Sequence, residues 1–431
     1  MRRRRFMGVT AGLTSALGLT ATATACGSDS AGGEVVLRLV VTEFADLVGG
    51  GSVEQFWNDL AADFREINPD IRVEVTAIPY QSTYDEVARM IGAGNAPDMA
   101  QLYMFADFAR EGELYDANDL LTIPVLSDFP SSIAAAGEVR RVQYGMPFVA
   151  YLQTFFWNKD LFTQAGLDPD TPPRDWQELL NAADMLRAAG VEQPYGLAFG
   201  HDDANAEALM WMLAGGGTLT DPTGSYTIES PANTWTFTWL RDHLVGADRT
   251  GGAAPGDTTR QAVYEAFAAG RVGMLTGDPF LMGYAEQGGV EYGMSAMPGR
   301  RGASLSVMGD ASWLLGFKQR GNQEHIATFL NYLFSEHRNV STFAERFRLL
   351  PVSTPAAHTM SESDSPENRR LRPFLNELPG ATFLPAGKVS WTTVAGLISE
   401  VIGDAVRPGG DVEGVLSRLQ SDADALDRDE E

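Results

Sequence analysis

The chain has 431 residues, with 57 acidic against 32 basic side chains and a formal net charge of −25. That length is enough for two or three domains with a substantial core, and 44% hydrophobic with 21% charged residues is a globular composition rather than a disordered or membrane-filling one. The acidic balance argues against nucleic acid as a partner, and a single cysteine excludes an intrachain disulfide or a zinc site built from several thiolates.

Arg2 to Arg5 form a basic block ahead of an apolar, small-residue stretch from Phe6 to Ala25. The stretch is too rich in Thr and Gly for a spanning helix and reads as residues 1–25 of an export signal. Arg3-Arg4-Arg5-Phe6-Met7 is similar to the twin-arginine signature. Ala23-Thr24-Ala25-Cys26 resembles a bacterial lipobox, with Ala23 where Leu is usual, which makes Cys26 the expected lipidation site and residues 26–33 a flexible tether. The leader carries four arginines and no acids, so its removal takes the charge from −25 to −29.

The body begins with a β-branched run, Val35 to Val41, that predicts a strand. From Ser52 the positions Val53, Phe56, Trp57, Leu60 and Phe64 recur at helical spacing, and Asn68-Pro69-Asp70 ends that helix. A second strand follows at Ile71–Val75, a helix at Tyr84–Ile91, and a strand at Met99–Leu102. Trp176 is expected to open a helix after Pro172-Pro173. Trp235 and Trp239, four apart with Phe237 between them, read as core positions of another helix, and a further one is expected at Glu324–Phe334. Alternating strands and helices imply an α/β class with a largely parallel sheet, and place ligand-binding loops at the carboxyl ends of the strands.

Three stretches of the chain carry a recurring family pattern. The first is Gly94-Asn95-Ala96-Pro97-Asp98, followed by Gly112-Glu113-Leu114. The second runs from Tyr144-Gly145-Met146-Pro147 through Phe156-Trp157-Asn158-Lys159-Asp160-Leu161-Phe162 and Ala165-Gly166-Leu167 to Pro172-Pro173 and Trp176. The third is Phe267 to Met274, leading to Gly277-Asp278-Pro279-Phe280. In these stretches the chain resembles the extracellular solute-binding proteins of ABC importers, the family of maltose- and oligosaccharide-binding lipoproteins. The resemblance implies a two-lobed periplasmic-binding-protein-like fold of type II, with solute held in a cleft that closes about hinge crossings. The lobes implied are 34–147 with 306–336, and 148–305 with 337–431. Carbohydrate is the implied ligand and the membrane permease of an ABC transporter the implied protein partner. The chain is expected to work as a monomer, without cofactor or metal.

Sugars present flat C–H patches flanked by hydroxyls, so a site for them needs aromatic faces and planar polar groups. Glu43 and Phe44 follow the first strand, Tyr80 the second, Tyr103 the third, and Tyr151 lies in the first crossing segment. In the second lobe, His201 to Asn205 is a polar loop ahead of a helix carrying Trp211, and Asn205 and Trp211 are candidates. Asp278 and Phe280 match the family's Gly-Pro-Trp loop, with the smaller Phe as platform. Asp310 and Trp313 sit where the chain re-enters the first lobe, and Trp391 opens a late helix where relatives supply a stacking aromatic. Arg346 and Arg348 read as ion-paired rather than ligand-facing.

Two other functions compete. An enzyme would need a chemical signature, and the sequence has no Gly-x-Ser-x-Gly elbow, no His-Glu-x-x-His, no phosphate loop, and five histidines that never pair at ligand spacing. The same fold could instead hold a glycerophosphodiester, whose phosphate calls for arginine or a helix N-terminus.

Overall fold

The structure is a computed structural model that describes residues 33–44, 51–252 and 254–428. The export signal, Cys26 and most of the tether lie outside the described residues. The chain divides at Gly33/Glu34, and everything from Glu34 onward belongs to one unit built on a larger and a smaller sheet, with two short two-stranded hairpins beside them.

The larger sheet has seven strands. Their order is Leu350–Pro351, Met146–Leu152, Met308–Gly316, Met99–Leu102, Val35–Glu43 and Ile71–Pro79, with Thr382–Phe383 joining Met308 and Gly309. The first three strands in sequence run parallel, as the alternating pattern predicts. Beyond these, only the short Thr382–Phe383 pairs parallel in this sheet, with Met308 and Gly309. Met308–Gly316 runs antiparallel to both of its long neighbours, because the chain comes back into this sheet from the other one. The smaller sheet is also mixed. Tyr292–Ser295, Thr154–Asn158 and Val272–Gly277 are antiparallel in turn, and only Gln193–Gly196 lies parallel to its neighbour.

Local chemistry explains where the helices start. The Ser52 hydroxyl accepts from the Gln55 amide and the Asp175 carboxylate from that of Glu178, each cap worth about 1 kcal/mol. Helix Val53–Ile67 buries Val53, Phe56, Trp57, Leu60 and Phe64, the stripe expected from sequence. Helix Tyr80–Gly92 begins four residues earlier than expected, directly after Pro79, so Tyr80 is a helix residue rather than a loop residue. Trp239 is buried, but Trp235 is 37% exposed. Its ring lies 5.5 Å from Trp176 and under the Arg300 guanidinium at 3.7 Å, so half of the expected core pair is a surface stack.

The two sheets are joined at Gln153, a fully buried residue between the strands Met146–Leu152 and Thr154–Asn158. Residues 337–351, expected with the second lobe, pack on the larger sheet. Phe343 lies 4.8 Å from Phe148 and 6.1 Å from Trp57, and Leu350–Pro351 pairs with Val149 and Ala150.

Candidate functional site

The carboxyl ends of the parallel strands bring Glu43, Tyr80 and Tyr103 to one edge of the larger sheet, and Tyr151 and Asp310 join them from its antiparallel pair. Tyr80 and Tyr103 meet edge to face at 5.0 Å. The Tyr151 hydroxyl donates to Asp310 Oδ2 at 2.9 Å, while Oδ1 accepts from the Ala311 amide at 2.7 Å. Burial pushes the Asp310 carboxyl up to about 6 against those two bonds. Burial, with the charge of Asp310, also raises the hydroxyls of Tyr151 and Tyr103. The Tyr80 hydroxyl is raised by burial and then by Asp310 and Asp203, although 46% of the residue stays accessible.

Opposite this group lies a buried network that sequence reading did not assemble. Arg260 donates from Nε to Asp203 at 3.0 Å, from Nη2 to Glu207 at 2.6 Å and Gln153 at 3.4 Å, and from Nη1 to the Thr276 carbonyl at 2.9 Å. Glu207 also accepts from the Thr276 hydroxyl and from the Trp211 indole, the latter at 2.8 Å. Gln153, at the junction of the sheets, donates to Asp203 at 2.9 Å. Burial, opposed by Arg260 and helped by Asp278, pushes the Asp203 carboxyl up to about 7, with 23% of its side chain still accessible. Asp278 caps the helix Pro279–Gly288 through the Phe280 amide at 2.8 Å, its own amide donates to the Tyr264 hydroxyl at 3.0 Å, and burial raises its carboxyl. Asp203 stood in the polar loop noted in the sequence. Arg260, Glu207 and Tyr264 carried no local signal, because Arg260 finds Glu207 across 53 residues of chain.

The remaining expected residues divide by burial. Phe44 and Phe280 come from the two sheets and meet at 6.2 Å, with Phe347 on the other side of Phe44 at 5.4 Å. Asn205 sits half-buried in the first turn of Ala204–Gly215. The Glu43 carboxylate is engaged with the start of a helix, accepting from the Val53 amide at 2.9 Å and from the Glu54 amide and Ser52 hydroxyl at 3.1 Å. Trp211 is fully buried among Trp176, Tyr195 and Trp239. Trp313 is 1% exposed against Phe105, and a Cβ on Gly137 or Gly145 would meet its ring at 2.8 or 2.9 Å. Both tryptophans are therefore core members in this structure. Trp391 is 4% exposed at the start of its helix, and its neighbour Thr392 donates to the Met104 sulfur at 3.4 Å, beside Tyr103. Among the described residues no group of His, Cys, Asp or Glu could hold a metal, and no helix is long and apolar enough to cross a membrane.

Two α/β halves, joined at buried polar crossings with tyrosines and carboxylates facing one another, define a two-lobed solute-binding fold. The model of the bacterial extracellular solute-binding protein family matches residues 50–337, and the chain belongs to that family. It therefore acts outside the cytoplasm, in a family of binding proteins. A Brucella abortus relative described only as a binding protein is 24% identical over 96% of this chain and 98% of its own. The sn-glycerol-3-phosphate-binding periplasmic protein of Pectobacterium atrosepticum is 24% identical over 75% of this chain and 74% of its own. Among solved structures, the cyclic alpha-maltosyl-1,6-maltose binding protein of Arthrobacter globiformis superposes with a TM-score of 0.77 at 18% identity, covering 92% of this chain and all of that one. The GacH receptor of Streptomyces glaucescens, solved unliganded and with acarbose, gives 0.74 at 20% identity over 92% of this chain and 99% of that one.

Proposed function

We propose that this chain is the substrate-binding lipoprotein of an ABC importer, that it captures a carbohydrate of oligosaccharide size, and that it delivers it to the membrane permease as a monomer. The observation that carries the choice of ligand is the charge of the facing groups. Asp203, Asp278 and Asp310 are acceptors, and Arg260, the guanidinium bonded into this network, already spends its donors on Asp203, Glu207, Gln153 and Thr276. Such a site rewards a ligand that donates hydroxyl hydrogens and penalises a phosphate, which would meet carboxylates in a low-dielectric setting. Tyr80, Tyr103, Tyr151, Phe44 and Phe280 supply aromatic surface for sugar C–H faces, with Glu43, Asn205 and Trp391 at the margin. The anionic reading keeps its place because a curated relative is named for sn-glycerol 3-phosphate.

In this mechanism no bond is made or broken. The lobes close about Gln153 and the return strand Met308–Gly316, ligand contacts favour the closed form, and the permease distinguishes it from the open one. Lipid on Cys26, after export by a twin-arginine-type signal, would hold the receptor at the outer face of the cell membrane. Thermal shift of the mature protein against maltose, maltotriose, mannobiose, sn-glycerol 3-phosphate and glycerophosphocholine tests the ligand. Stabilisation by a neutral oligosaccharide is expected, and stabilisation by the phosphate compounds alone would overturn the carbohydrate reading. Replacing Cys26 by Ala should release the protein from the membrane fraction.

A further inference from the structure

A cavity of about 1120 Å³ lies beside the candidate site, and none of the residues expected to bind ligand lines it. One wall is the hairpin Glu138–Gln143, whose tip is Arg140-Arg141, both with left-handed backbone at φ 51° and 65°. Two-residue hairpin tips of this kind ordinarily carry Asn-Gly, so two adjacent arginines there hold strain that a purely structural turn would not need. A second wall is the turn Thr220–Ser225, fixed from within by Asp221, which accepts from the Thr223 and Ser225 amides at 2.8 and 3.1 Å. The third is the segment 381–389, pressed against the hairpin at Gly387, where a Cβ would stand 1.9 Å from the Glu138 carbonyl.

The lining has no net charge, since Arg140, Arg141 and Lys388 are balanced by Glu138, Asp221 and Asp427, and Lys388 is already paired with Asp427 at 2.8 Å. Five serine and threonine hydroxyls and the Phe383 ring complete it. An anion would meet three carboxylates here and an apolar ligand would strand the hydroxyls, whereas an uncharged polyol satisfies both signs with its own hydroxyls. The cavity also shares a wall with the candidate site. Phe383 packs on Gly309, the residue before Asp310, and the same segment runs on into Trp391 and Thr392 beside Met104.

We propose that this cavity is a second carbohydrate subsite, which takes the outer units of an uncharged oligosaccharide whose inner units occupy the tyrosine–aspartate cluster. The proposal rests on the carbohydrate reading above and adds a preference for length. Calorimetry with maltodextrins and manno-oligosaccharides of two to six units tests it on the wild type and on two variants. Arg141→Asn removes the guanidinium while suiting a left-handed backbone, and Ala135→Trp fills the cavity from an exposed helix position that lines it. The longer members of the series that binds should exceed the disaccharide by about tenfold or more in affinity. Each variant should erase most of that gain while leaving disaccharide binding as it was. Affinity independent of length in a wild type that does bind the disaccharide, or a full length effect in both variants, would overturn the subsite and leave the carbohydrate reading standing. Failure of every carbohydrate to bind the wild type would overturn both.

Discussion

Tyr151 and Asp310 stand directly opposite each other on adjacent antiparallel strands, and the hydroxyl of the first donates to the carboxylate of the second at 2.9 Å. Tyr151 is on the strand by which the chain leaves the larger sheet, and Asp310 is on the strand by which it returns. The bond thus ties the two crossings together at the place where a bound molecule would touch both sheets. It also competes with burial in setting the state of Asp310, since a donor to the carboxylate favours its charged form.

Tyr151→Phe removes that donor and leaves the ring in place. The variant should lose about 1–3 kcal/mol of stability, because a buried carboxylate gives up one of two donors, and the Asp310 carboxyl should titrate higher. Ligand affinity should drop about tenfold if Asp310 accepts from the solute. Urea unfolding and calorimetry with whichever sugar stabilises the wild type read the two effects separately. An unchanged midpoint would show that the hydroxyl does not hold the carboxylate.

Asp310 at about 6 and Asp203 at about 7 both lie above the ordinary aspartate value of 3.8. From about pH 4 to pH 7 the native protein therefore holds protons that the unfolded chain has released, so these two groups make stability fall as pH rises through that window. Asp310→Asn removes one of them. Its melting temperature relative to wild type should climb from about pH 4 to about pH 6 and level off above that, and a constant difference would place the Asp310 carboxyl in the ordinary range.

The sequence made the helix starts at Ser52 and Asp175 legible, because capping is local and each bonds an amide three residues on, but not the start of Tyr80–Gly92, where Pro79 supplies no side-chain cap. It made the parallel trio legible through alternation with helices, but not the reversed strand Met308–Gly316, since a strand's residue pattern is the same in either direction. In the site, aromatic type could not report depth. Tyr80 is accessible, whereas Trp211 and Trp313 are enclosed by rings that arrive from distant segments. Arg260 was invisible for the same reason, as its partners Gln153, Asp203, Glu207 and Thr276 become neighbours only after folding.

Burial changes what Trp313→Ala should do. A loop tryptophan could be truncated with loss of affinity alone, but this ring fills space against Phe105 and the backbones of Gly137 and Gly145. Its removal should cost about 3–5 kcal/mol of stability. The indole N–H has no partner, so Trp313→Phe should cost clearly less. Thermal melts of the two variants check the order, and an Ala variant as stable as wild type would show that the ring is not a core member.

Arg260 holds together carboxylates that would otherwise repel one another. Arg260→Met would leave Glu207, which is fully buried, with a charge and no cation, and would deprive Asp203 of the interaction that opposes its burial. Breaking one side of a buried pair costs about 3–5 kcal/mol, more than the pair contributes net, since the stranded charge carries the loss. The double variant Arg260→Met with Glu207→Gln should therefore be more stable than the single Arg260→Met, because the amide oxygen can still accept from the Trp211 indole and the amide nitrogen can donate to the Thr276 hydroxyl oxygen, without a charge to desolvate. A coupling of about 0.5–3 kcal/mol between the two positions, read from a double-mutant cycle in urea, is the expected result. Strict additivity would mean that Asp203 and Thr276, rather than Glu207, account for the place of Arg260 in the fold.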